Sequence, residues 1–281
     1  MQENFTCKNC GNSFIGKFCN NCGEKVYTEK DRSVRKLGEE FLHFIFHFEG
    51  TLFTTIKTLC TRPGQLSLDY CNGIRKKYFK PLSFFLLLVV VYLIFPFFEA
   101  LNMKLHFYES NSFFGGYATS KINYLVLHSG LTAEQIATQF HQKSEKISKF
   151  LLIILIPLTA LFFWLCSFKK REKFFDQMVF AAEVNCVYLL WGFLLMPLVF
   201  YISEWVCYFF SGTFFSVKDI TTGVLMFCVL GIYVGFATRR FYNLKKWQSV
   251  IFALLFCVVH PFIITSIYKF ILFYLAINQI H

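Results

Sequence analysis

The chain has 281 residues, of which 56% are hydrophobic and 16% are charged, and its formal net charge at pH 7 is +11. Average soluble domains contain about 25% charged residues, so this composition argues against a soluble protein and favours an integral membrane protein. A net positive charge would indicate nucleic-acid binding in a soluble chain. Here most basic residues flank apolar runs, so the membrane accounts for the excess and nucleic acid is not an expected partner.

Two C-x-x-C-G units near the N-terminus contain Cys7, Cys10, Cys19 and Cys22. Each unit forms a tight turn that directs two thiolates to one point. Four thiolates make a closed tetrahedral site that suits structural Zn²⁺, with a rubredoxin-like iron site and a redox dithiol pair as alternatives. The sequence therefore predicts a zinc ribbon over residues 1–29, with no open coordination position for catalysis.

A charged linker, residues 30–36, follows the ribbon. Apolar residues at helical spacing over 34–59 predict an amphipathic helix, or two shorter helices divided at Gly38 or Gly50, which lies in the inner membrane interface or packs on the helix bundle. Pro63-Gly64 is a turn signal that should end this helix. Pro81 is expected in the first turn of the next helix, where its missing N–H costs nothing. Residues 30–81 thus connect the ribbon to the membrane domain.

The order of these motifs resembles that of a family of bacterial integral membrane proteins of unknown function. The residues that carry the resemblance are Cys7, Cys10, Cys19, Cys22, Thr58, Leu59, Arg62, Pro63, Gly64, Tyr70, Gly73, Arg75, Tyr78 and Pro81. The resemblance implies a multi-pass protein of the bacterial inner membrane and implies no activity. Within the motif, Arg62, Tyr70, Arg75 and Tyr78 are candidates for lipid-headgroup contacts or turn packing.

The apolar runs in residues 82–281 predict a helical membrane domain. Its apolar runs predict five spans, at about 82–98, 150–168, 179–202, 220–238 and 249–268. Basic residues precede the first span and follow the second and the fourth. The positive-inside rule then places the N-terminus in the cytoplasm and the C-terminus outside. The prediction is an all-α membrane protein with about five transmembrane helices.

The segment 99–149 is polar and contains no arginine, which suits the outer face of the membrane. Within it, Thr132 and Gln135 have the spacing of a capping box. A helix is therefore expected to begin at Thr132 and to continue to Lys149.

Three carboxylate, amide or imidazole side chains lie inside predicted spans: Glu183, Asn185 and His260. Such residues are candidates for function. Glu183 lies early in its span, so snorkelling to the interface or pairing with a basic loop is the simpler interpretation. His260 precedes Pro261, and a neutral imidazole N–H is expected to bind the backbone carbonyl that this proline leaves free.

These features predict a non-enzymatic membrane protein whose zinc ribbon docks a cytoplasmic protein partner. A transporter or channel with a polar path near Glu183, Asn185 and His260 is one alternative. A lipid-modifying membrane enzyme that uses Arg62, Tyr70, Arg75 and Tyr78 near the headgroups is another. Common catalytic fingerprints, such as G-x-S-x-G, H-E-x-x-H and the P-loop, do not occur in the sequence.

Overall fold

A computed structural model describes residues 4–7, 10–16, 18–22, 50–94, 104–167, 170–171, 173–212 and 219–280. The chain divides into two compact units, residues 1–53 and 54–281. The predicted charged linker, the amphipathic helix up to residue 49, and residues 95–98 of the first predicted span lie outside the described residues.

The N-terminal unit contains a two-stranded antiparallel sheet. Its strands are β1, Asn4–Thr6, and β2, Ser13–Ile15, with Phe5 opposite Phe14. Phe14 is buried together with two of the four motif cysteines. Because the described part of this unit buries only Phe14 beside the cysteines, the cysteine cluster is the main element that can hold that part together.

The rest of the described chain is almost entirely helical. The helices in chain order are α1, 50–61; α2, Gln65–Cys71; α3, Pro81–Ile94; α4, Leu105–Glu109; α5, Gly115–His128; α6, Ala133–Leu151; α7, Leu155–Ser167; α8, Phe174–Leu189; α9, Met196–Ser211; α10, Asp219–Phe241; α11, Lys246–Phe262; and α12, Lys269–Ile277. A 3₁₀ turn, Leu152–Ile154, joins α6 to α7. π-Helical turns at Leu190–Leu195 and Ile263–Tyr268 join α8 to α9 and α11 to α12.

Helix α8 lies at the centre of the second unit. All residues over 179–186 are buried, and the helix contacts α2, α3, α7 and α10. Aromatic rings pack along it. The Phe180 ring is stacked on Phe241 at a centroid distance of 4.6 Å and tilted against Phe163 at 4.7 Å. A polar side chain on this stretch of α8 must therefore find its partners inside the protein.

Three long helical segments are apolar enough to cross a membrane: Phe174–Phe210, Gly223–Phe241 and Lys246–Ile277. They overlap the third, fourth and fifth predicted spans, and the first and last of them extend beyond the predicted bounds. The chain over these segments has the properties of a membrane protein.

The first two predicted spans are not confirmed as continuous spans. The first corresponds to α3, whose described apolar part Pro81–Tyr92 is shorter than the roughly 20 residues that cross the hydrocarbon layer, while residues 95–98 lie outside the described chain. The second begins inside α6 and breaks, because Ala133–Ser148 and Leu152–Cys166 meet at 55°. Among the described residues, three helices could cross a membrane, or four if this bent pair is one span, so five continuous spans remain a prediction.

Helices α4, α5 and α6 form a small folded unit on α12. Their shared core includes Tyr108, Phe140 and Phe273, all nearly inaccessible to solvent. The predicted capping box is confirmed, because the Gln135 N–H donates to Thr132 Oγ1 and the Thr132 N–H donates to Gln135 Oε1. The polar segment between the first two predicted spans is therefore a packed structure and not an open loop.

Two arginines join three separate segments at one end of the bundle. Arg240 Nη1 donates to the carbonyl of Pro63 at 2.6 Å, and Arg171 Nε donates to the carbonyl of Phe241 at 3.1 Å. The Arg171 guanidinium also lies 4.3 Å from the Phe241 ring centroid. The segments that the positive-inside rule assigned to one face thus converge in space.

Candidate functional site

The four motif cysteines form one cluster. Their Sγ atoms all lie within 4.8 Å of one another, with Cys7 and Cys22 at 3.4 Å and Cys10 and Cys19 at 3.6 Å. These distances exclude S–S bonds, which are about 2.05 Å long. Four thiolates at about 2.3 Å from one ion would lie about 3.8 Å apart, so the cluster could hold a metal ion.

The backbone around the cysteines produces this convergence. The Gly11 N–H donates to the carbonyl of Cys7 at 2.9 Å, and Gly11 adopts a φ of 72°, which closes the first turn. In the second turn, the backbone N–H of Cys22 lies against the Cys19 sulfur and lowers the pKa of Cys19 to about 6. Hydrogen bonding that favours the thiolate prepares the form that binds metal.

A second site lies where the R-P-G motif, Arg62-Pro63-Gly64, packs against the helix bundle. Helix α1 ends at residue 61, as the Pro63-Gly64 turn predicted. Gly64 has a φ of 78°, and a Cβ at this position would lie 2.5 Å from the carbonyl oxygen of Ala237 on α10. Only glycine therefore combines the left-handed backbone with this close approach.

The side chain of Glu183 caps the N-terminus of α2 from another helix. Its Oε1 accepts the Gly64 N–H at 2.8 Å and the Tyr233 hydroxyl at 2.7 Å. Its Oε2 accepts the Ser67 N–H at 2.7 Å and the Ser67 hydroxyl at 2.5 Å. Helix α2 has no capping side chain of its own, so Glu183 satisfies N–H groups that a buried helix start would otherwise leave unpaired.

We call this set of Gly64, Ser67, Glu183 and Tyr233 the α2 clamp. Glu183 is fully buried and forms no ion pair within the described chain. The interpretation that it snorkels to the interface or pairs with a basic loop was therefore wrong. The reason is that Gly64 and Ser67 supply three donors and Tyr233 of α10 supplies a fourth, which together match the four acceptor positions of a carboxylate.

The other motif residues have different environments. The buried Tyr78 hydroxyl donates to Asp69 Oδ2 at 2.6 Å, and burial together with this hydrogen bond raises the pKa of Tyr78. Arg62 and Arg75 are exposed, and the Arg75 guanidinium lies 5.1 Å from the Tyr70 ring centroid. Headgroup contact stays a prediction for Arg62, Tyr70 and Arg75, whereas the hydroxyl of Tyr78 has a partner inside the protein.

Asn185 and His260 lie in the core without full hydrogen bonding. The Asn185 Nδ2 donates to the carbonyl of Ala181 at 2.8 Å, while its Oδ1 has no partner among the described residues. The His260 ring lies among aromatic rings, with its centroid 4.6 Å from Phe256 and 5.4 Å from Tyr188. Neither ring nitrogen has a described partner, so the predicted bond from His260 to a freed carbonyl was wrong.

Sequence reasoning did not identify Ser67, Tyr233, Ala237 or Arg240 as parts of a site. Ser67 lies within the motif stretch, but a serine beside a turn is common and points to no distant partner. Tyr233 and Ala237 lie one helical turn apart on α10. This spacing places them on the same helix face, and it was the single signal in the sequence that they could act together. Their relation to Gly64 depends on a fold that brings residues more than a hundred positions apart into contact.

The comparison with protein families gives a match that covers this segment. A family described as a protein of unknown function (DUF3667) matches residues 49–93. The match includes the R-P-G turn, α2, Tyr78 and most of α3. The cysteine cluster lies outside it. No curated protein and no solved structure matches the chain.

Proposed function

We propose that this chain is a membrane-embedded scaffold whose cysteine module holds Zn²⁺ and docks a protein partner at the cytoplasmic face. The four-sulfur donor set supports zinc, because a closed thiolate tetrahedron suits this ion and leaves no position for a substrate. A metal in a closed site has a structural role, so it holds the fold of the module. The partner would then contact the protein surface of the module and not the metal ion.

The α2 clamp is the observation that favours a scaffold. Glu183 is the buried acidic side chain of the candidate span Phe174–Phe210, and an intramembrane acid is the residue from which a coupled transporter would be expected to work. Here both of its oxygens are occupied by donors from α2 and α10. Because both Glu183 oxygens hold the start of α2 in place, a structural role for this carboxylate is better supported than a role in ion transport.

The converging basic segments support the orientation. Arg171, Arg240 and the motif segment around Pro63 lie at the same end of the bundle. If this end faces the cytoplasm of a bacterial cell, as the positive-inside rule requires, the motif segment lies at the inner surface of the membrane. The N-terminal unit precedes that segment and would then be cytoplasmic as well.

A pull-down from native membranes tests the docking role. The tagged full-length chain is crosslinked in intact cells, and its partners are quantified by mass spectrometry. We expect one partner at near-stoichiometric yield with the wild type and with Cys60→Ser, a control at an exposed cysteine outside the cluster. The same partner should be lost with Cys7→Ser, which removes one metal ligand. Equal recovery with Cys7→Ser, or no stoichiometric partner at all, would contradict the proposal.

The unpaired core atoms favour one second candidate, a conduction path. Asn185 Oδ1 and both His260 nitrogens are buried without described partners, and polar groups of this kind line pathways in membrane proteins. Proteoliposomes that contain the wild type or His260→Phe separate the two functions. A proton or cation flux that His260→Phe abolishes would favour the channel. Absence of flux in both proteins would favour the scaffold.

A further inference from the structure

A groove of about 680 Å³ runs along the contact between α10 and α11. Its floor consists of small residues, because Gly231 and Gly235 face Cys257 and Ala253 at close range. Ser249 Oγ donates to the carbonyl of Gly235 at 2.6 Å, so its hydroxyl hydrogen is already used. The interior of the groove is therefore suited to hydrocarbon.

The length of the groove matches one leaflet of a bilayer. It extends along α10 from Cys228 to Arg239, which is about 16 Å at 1.5 Å per residue. Half of the hydrocarbon thickness of a membrane is about 15 Å. Both helices are candidate spans, so the groove would open toward lipid over that depth.

Two basic side chains line one end of the groove. Arg239 lies near the end of α10, and Lys246 is the first residue of α11, so both lie where the candidate spans end. Within the part of the chain that the structure describes, neither side chain forms an ion pair. A ligand of this groove would therefore carry an anionic group at one end and an apolar chain at the other.

We propose that this groove binds one acyl chain of an anionic phospholipid, with the phosphate at Arg239 and Lys246. A second copy of the chain is a poorer occupant. A two-fold contact through this face would bring the two pairs of basic residues toward each other. The proposal depends on α10 and α11 spanning the membrane and not on the docking role of the cysteine module.

Native mass spectrometry of the purified full-length chain tests this binding. The protein is titrated with phosphatidylglycerol or with phosphatidylcholine, and inorganic phosphate is added as a separate competitor. We expect one phosphatidylglycerol per chain, bound about 25-fold more tightly than phosphatidylcholine, from a factor of about five for each basic residue. Phosphate alone should not displace it, because the acyl chain contributes to binding.

Matched variants separate the groove from general effects of charge or bulk. Arg239→Gln with Lys246→Gln should remove the preference, whereas Lys245→Gln, an exposed lysine at the same end that does not line the groove, should change it by about twofold or less. Val250→Trp should fill the groove and prevent retention. Ile251→Trp should not, since Ile251 is equally exposed at 56% but lies outside the lining.

Three outcomes would overturn the proposal. These are equal retention of the two lipids, an equal loss in the control variants, and a dimer that Val250→Trp dissociates without any change in bound lipid. Because every variant lies on an exposed surface, unchanged thermal unfolding in detergent serves as the check on folding.

Discussion

Gly64 and Ala237, which are 173 positions apart in the sequence, meet so closely that a Cβ on Gly64 would lie 2.5 Å from the carbonyl oxygen of Ala237. The R-P-G turn is thereby pressed against the backbone of α10, and the start of α2 is brought to Glu183. This contact explains a glycine at this position better than turn geometry alone. It also makes the turn sensitive to the addition of one methyl group.

Gly64→Ala should destabilise the protein more than Gly73→Ala. Both glycines have positive φ, 78° and 94°, but a Cβ at Gly73 would meet no atom within 4 Å. We expect about 1–2 kcal/mol for Gly73→Ala from backbone strain, and about 2 kcal/mol more for Gly64→Ala from the added clash. Unfolding in mixed micelles measures both variants, and equal losses would show that the close approach does not matter.

Tyr78→Phe should cost about 1–2 kcal/mol, because it removes a hydrogen bond to the buried Asp69. Asp69 would keep the Gln65 Nε2 at 2.7 Å and the Lys77 ammonium at 3.7 Å. Tyr70→Phe is the matched control, since no described residue binds the Tyr70 hydroxyl, and it should change the free energy of unfolding by less than about 0.5 kcal/mol. A larger loss with Tyr70→Phe would mean that both hydroxyls have the same role.

The cysteine cluster should carry one metal ion per chain. Elemental analysis of protein purified without added metal is expected to give one zinc for the wild type and for Cys60→Ser, and much less for Cys7→Ser. A strong chelator should unfold the N-terminal unit, because β1, β2 and Phe14 alone form too small a core. Iron in place of zinc would show that the identity of the ion was wrong. Absence of any metal in freshly purified wild-type protein would show that the cluster is not a metal site.

The orientation can be read from thiol labelling of intact cells. Single cysteines placed at Lys170 or Lys245, in the basic segments, should react with a membrane-impermeant maleimide only after permeabilisation. Cysteines placed at the exposed Lys143 or Glu134 of α6 should react without permeabilisation. Labelling of both pairs from the same side would show that fewer segments cross the membrane than the topology requires.

Local sequence signals anticipated local structure. The Thr132–Gln135 capping box, the end of α1 before Pro63 and the start of α3 at Pro81 are all present. Each depends on residues within one helical turn, where hydrogen bonds and proline geometry determine the outcome. The three long apolar segments followed from hydropathy for a similar reason, since the length of an apolar run is visible in the sequence.

Features that depend on tertiary contacts could not be predicted from the sequence. The partners of Glu183 lie on α2 and α10, up to 119 positions away, and no local pattern identifies them. His260 was expected to bind the backbone, but aromatic rings surround it instead. The second predicted span was an apolar run, and a window average cannot detect the break at Leu152–Ile154, where Pro157 follows in the next turn and removes one helical N–H.

The central claim is that Glu183 holds the motif segment in the bundle, and a double-mutant cycle between Glu183→Gln and Ser67→Ala tests it most directly. Glu183→Gln alone should cost about 3 kcal/mol, because its amide would place N–H groups against N–H donors. Glu204→Gln, at a partly exposed position in α9, should cost less than about 0.5 kcal/mol. Measured by unfolding in mixed micelles, the cycle should give a coupling energy of at least about 1.5 kcal/mol. Additive effects of the two substitutions, within about 0.5 kcal/mol, would contradict the account.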